Sequence, residues 1–232
     1  LLNLFHAAFA VSLDILTALG LMLFIAHLAA SWRAAAVSSP TPDEAQDTFS
    51  EGALLVGILL AGVLFFHCLY LLPSRTINIF DDFFLYLVSP VRALQTGTLA
   101  GNPFESSGAT TLGVPAFFQS FIAAHFALDY VPAFDNTLCL ILTLLLIADL
   151  GRRMELNIVV RLLSMASAFS FNPQIVNTSS VYSTSAFALA FLMILQIGAG
   201  LETAKSRQAA LFAAGAVGGV LVCLKSTLAV YA

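Results

Sequence analysis

Charge is what this chain has least of. Asp, Glu, Lys and Arg make up 9% of its 232 residues, against about 25% in a soluble globular protein. So few charged groups do not cover a water-exposed surface, which excludes an ordinary soluble domain. The 59% apolar content and mean hydropathy of +0.94 suit a bilayer instead. Cysteine is scarce as well. Cys68, Cys139 and Cys223 lie in three separate apolar runs without metal-ligand spacing, so they read as packing residues rather than a zinc or redox site. No basic cluster suits a nucleic acid. The basic stretch of a signal peptide is missing too. The chain opens Leu1-Leu2-Asn3, without an initiator Met, and reads as a piece of a longer one.

Long apolar runs are what it does have, near 10–30, 52–72, 112–128, 134–149, 157–171, 181–197 and 209–230. Several approach the roughly 20 residues that cross a bilayer. The expected fold is all-α: residues 1–232 form a single polytopic transmembrane helical domain. The longest connection, 73–111, is expected at the membrane interface, carrying short surface helices over 79–95 with a break at Pro90. If every run crosses, Arg75, Arg92, Arg152, Arg153, Lys205 and Arg207 share one side and Arg33 has the other. The positive-inside rule then makes the first side cytoplasmic. A re-entrant run between 112 and 149, with a break at Pro132, reverses the side of the 73–111 loop.

Against this apolar background the few polar groups stand out. "TINIFDDFFLYLVSP" places Asp81 and Asp82 among aromatic side chains. One such carboxylate suits a general base that draws a proton from a nucleophile. The other suits a divalent ion or a helix N-terminus, and Asn78 or Asp81 as an N-cap is the competing reading. Glu105, in "GNPFESSG", is a second acid of the same loop, placed to hold a cation or sugar hydroxyls, or simply solvated. Arg92 suits a lipid phosphate or snorkels to the headgroups. In "FNPQIVNTSSVYSTS", Asn172, Gln174 and Tyr182 belong to a polar run ahead of an apolar one. They suit hydroxyls of a sugar or the capping of a helix that starts near Ser180. Asp14 lies in or at the start of the first apolar run, where an ionisable group usually faces protein or water; if the span begins near Ile15 it is a cap. Asp129 and Asp135 read as turn and N-cap residues around Pro132. The four histidines are too scattered to form a ligand set. Gly215, Gly218 and Gly219 permit close approach of a neighbouring helix.

Taken together, "DDFFLYLVSPVRALQTGTLAGNPF" and "NPQIVNTSSVYS" resemble segments of bacterial membrane proteins near the GT-C superfamily of multi-spanning glycosyltransferases. The resemblance covers roughly residues 50–200. It implies transfer of a sugar from a polyprenyl-phosphate carrier, with Asp81 or Asp82 as the base. It implies Mg2+ or Mn2+ in some relatives, here on Asp82 and Glu105, and residence in the bacterial inner membrane among membrane lipids. The family places its acidic loop outside the cytoplasm, against the positive-inside count. The alternatives are a non-catalytic subunit with partners in a membrane complex and, behind it, a transporter.

Overall fold

The computed structural model describes residues 2–37, 87–98, 114–169 and 181–224. Among the described residues the chain is all-helical, without a strand. Helix α1 (Leu2–Val37) runs for 36 residues. Helix α2 (Val88–Thr96) follows, then α3 (Val114–His125). A short 3-10 turn (Leu128–Tyr130) and a π-helical turn (Phe134–Cys139) lead into α4 (Leu140–Arg153). Helices α5 (Ile158–Phe169), α6 (Val181–Ala199) and α7 (Ala204–Leu224) complete the order.

Among the described residues, three stretches are long and apolar enough to cross a membrane: Leu128–Arg153, Val181–Ala199 and Ala204–Leu224. Within the apolar runs at 112–128 and 157–171, the described residues form the helices Val114–His125 and Ile158–Phe169, of 12 residues each. The run at 52–72 lies outside the described residues. Large apolar side chains cover the outer faces, including Leu23, Leu145, Leu163 and Phe212. That distribution suits lipid contact, whereas water leaves such faces few.

Local chemistry explains the ends. Helix α2 stops at Gly97, whose φ of 70° is left-handed and whose N–H bonds the Ala93 carbonyl at 2.8 Å. Pro90 occupies the first turn of α2 instead of breaking it, because first-turn N–H groups have no helical acceptor to lose. It is buried there with Ala93, and α2 packs against α1 and α3. Helix α4 closes with Leu156 N–H on the Gly151 carbonyl and Glu155 N–H on that of Arg152, at 2.9 and 3.0 Å. This Schellman arrangement puts its penultimate residue in the left-handed region; here that residue is Glu155, at φ 55°. Asn157 Oδ1 then accepts the Val159 N–H at 2.9 Å and starts α5.

The helices pair as two hairpins. A Cβ built at Gly151 would come within 2.6 Å of the Arg161 stem, which sets α5 back along α4. A Cβ built at Gly198 would meet Ala210 at 3.0 Å, and one at Gly218 would meet the Phe191 ring at 3.4 Å, so α7 returns along α6. Of the three glycines at 215–219 only Gly218 faces that partner; Gly215 and Gly219 meet nothing within 4 Å.

Candidate functional site

The two hairpins are joined at one end by Asp135. Its carboxylate is 2% exposed. Oδ1 accepts the Ser183 N–H at 2.7 Å and Oδ2 the Tyr182 N–H at 3.2 Å. These are first-turn donors of α6, which the helix itself leaves unpaired, and the negative charge also opposes the positive pole there. Sequence reading made Asp135 the cap of its own span. It caps a different helix, because it lies within the π turn that it was expected to precede. In that turn the Leu140 N–H bonds the Asp135 carbonyl five residues back. The widened turn directs Asp135, Asn136 and Cys139 inward together.

The same contact fixes direction. Helical N–H groups point toward the N-terminus and carbonyls toward the C-terminus. Tyr182 gives its N–H to Asp135 while its carbonyl accepts from Thr143 Oγ1 at 3.2 Å. The path from Asp135 to Thr143 therefore follows the direction of α6. Helices α4 and α6 run parallel, and the turns at 154–157 and 200–203 lie at the same end. Arg152, Arg153, Lys205 and Arg207 are at this basic end. Asp149 holds the first two, at 2.6 and 2.9 Å. The opposite end carries Asp135, Tyr182 and the close of α5.

Polar atoms without partners gather around that opposite end. Asn136 is 3% exposed and Gln119 3%. Among the described residues, neither amide atom of Asn136 has a hydrogen-bond partner, nor do Gln119 Oε1 and Thr184 Oγ1. They sit on the π turn, on α3 and in the first turn of α6, elements tied by stacked rings. Phe118 of α3 lies 5.1 Å from Phe134 and 5.5 Å from Phe187, nearly parallel to both. Unpartnered buried groups of this kind are rare in native interiors. Sequence reading missed Gln119 and Asn136, each a lone amide within an apolar helix, and that isolation was the available signal.

Of the candidate catalytic, metal and substrate residues Asp81, Asp82, Arg92, Glu105, Asn172, Gln174 and Tyr182, two fall within the described residues. Tyr182 is fully buried in a core with Leu140, Leu144 and Ala168, and its hydroxyl donates to the Phe169 carbonyl at 3.0 Å. Arg92 is half-buried on α2, the helix packed on α1 and α3. Asp81, Asp82, Glu105, Asn172 and Gln174 lie outside the described residues, and with them the proposed Mg2+ or Mn2+ ligands. Among the described residues no three His, Cys, Asp or Glu side chains gather at metal-binding distance.

Asp14 is no cap. Helix α1 continues through it, and its carboxylate lies 3.4 Å from His125 Nε2 at the end of α3. Comparison of the chain with protein-family models, curated proteins and solved structures finds no match.

Proposed function

We propose that this protein is a multi-pass glycosyltransferase of the inner membrane that moves a sugar from a polyprenyl-phosphate carrier to an acceptor hydroxyl or amide. The observation that carries this reading is the division between the two ends. Basic side chains crowd one end, while unpartnered amide and hydroxyl groups collect at the other. A ligand rich in hydroxyls satisfies such groups, and an apolar one does not. Under the positive-inside rule the basic end is cytoplasmic, so the polar end opens to the other side.

The chain between Phe169 and Val181 begins and ends at that polar end. It contains Asn172 and Gln174, amides whose donors and acceptors suit sugar hydroxyls. Asp135 is committed to the start of α6, so the base comes from elsewhere. Asp81 or Asp82 supplies it, and the other acid, with Glu105, suits a divalent ion that takes up charge on the leaving phosphate. Leu87, buried beside α2, lies five residues past Asp82, a chain length of at most ~18 Å. Arg92, on the same stretch of chain, suits a lipid phosphate.

The test is transfer of radiolabelled sugar from a polyprenyl-phosphate donor by membranes holding the wild type, Asp81→Asn or Asp82→Asn. One substitution is expected to lower turnover by roughly 10²–10⁴-fold, the range for loss of a general base. Full activity in both would remove the acid pair from the reaction.

A further inference from the structure

The basic end holds a second feature that sugar transfer does not use. Helices α4 and α5 leave a cavity of about 210 Å³ between them, open on one side and bordered by Ile147, Leu150, Met154, Leu156, Arg161 and Ser164. Its lining is apolar apart from Arg161 and the Ser164 hydroxyl, and that hydroxyl is occupied by the Val160 carbonyl at 2.9 Å. Arg161 lies in the first turn of an otherwise apolar helix. Among the described residues no carboxylate pairs with it, and its Nε is buried without an acceptor. The nearby Asp149 is already engaged by Arg152 and Arg153. A charged side chain within an apolar membrane helix normally has a partner or faces water. The stem of Arg161 is held over Gly151, where a Cβ would come within 2.6 Å of it; glycine there is what lets the guanidinium lie between the helices.

We propose that this cavity binds an anionic glycerophospholipid, its phosphate on Arg161 and an acyl chain along Leu150 and Ile147. The cavity, open on one side, takes the phosphate end of that occupant and the start of one chain. Arg161 and Leu156 lie beside the 154–157 turn, at headgroup level. Ile147 is seven residues before Met154 and so ~10 Å deeper along α4, where a chain begins. Arginine matches a phosphate with two parallel hydrogen bonds, and basic pockets between helices on the cytoplasmic side take anionic headgroups. The comparable cavity between α6 and α7 is a weaker candidate, because the Arg207 guanidinium there already donates to the Leu201 carbonyl at 2.9 Å. The polyprenyl carrier is not the occupant, since its proposed site is at the opposite end.

The experiment is native mass spectrometry of the purified protein, delipidated and then offered phosphatidylglycerol and phosphatidylcholine in equal amounts. The wild type is expected to retain the anionic lipid about fivefold more, the ratio that one arginine near a headgroup supplies. Arg161→Gln brings the ratio close to one, while Arg161→Lys keeps a preference. Ser164→Leu fills the cavity and lowers retention of the anionic lipid with Arg161 still in place. Equal retention of both lipids by the wild type overturns the proposal. So does an unchanged ratio in Arg161→Gln, or displacement of phosphatidylglycerol by equimolar polyprenyl phosphate or inorganic phosphate. Sugar transfer plays no part in the measurement, so loss of the enzyme reading leaves it standing.

Discussion

Asp135 accepts the backbone N–H of Tyr182, a residue 47 positions further along the chain, inside a core that excludes water. The bond joins the two helix hairpins and sets their relative direction. Removing the carboxylate in Asp135→Ala strands two buried donors and is expected to cost about 1–3 kcal/mol. Asp135→Asn keeps one acceptor oxygen and loses roughly half as much. Thermal unfolding in a single detergent measures both, and equal stability of all three proteins would mean that the bonds are replaced by other acceptors.

Asn136 tests what the unpartnered polar groups are for. A buried amide without partners costs stability, so Asn136→Leu is expected to raise the unfolding free energy by about 1 kcal/mol. The same change should weaken use of the sugar donor, seen as a higher KM in the transfer assay. A variant both less stable and fully active would mean that the amide serves the fold alone.

Glu155 occupies a left-handed position that glycine adopts without steric cost. Glu155→Gly is expected to stabilise the α4–α5 turn by about 0.5–1 kcal/mol. The gain should appear in thermal unfolding, with no change in transfer, because the residue lies at the end away from the proposed chemistry.

Close packing of α6 on α7 depends on Gly198. A side chain there collides with Ala210, so Gly198→Leu is expected to cost about 1–3 kcal/mol. Gly215→Leu, where a Cβ meets nothing within 4 Å, should stay within about 0.5 kcal/mol of the wild type. Paired unfolding curves of the two variants separate interhelical packing from a general intolerance of bulk.

Composition and apolar run length made the helical membrane fold legible in the sequence, because a bilayer imposes them on any chain that crosses it. Run length alone did not say which helices cross: among the described residues three helical stretches are long and apolar enough to do so. The polar composition of residues 170–180 was visible. Asp135 was recognised as a capping residue but assigned to the wrong helix, since its donors are distant in sequence. For Asp14 the sequence left a cap and a group inside a helix facing protein both open, because its partner, His125, lies on another helix. Local signals of this kind identify the role of a polar residue better than its partner.

The account stands on the acid pair and the polar run sharing one membrane face, opposite the basic turns. Single cysteines at Ser107, Ser179 and Lys205, on a background with the native cysteines replaced by alanine, report this directly. In intact cells a membrane-impermeant maleimide is expected to label the first two positions, and Lys205→Cys only after the membrane is opened. Labelling of Ser107→Cys and Lys205→Cys from the same side would contradict the account.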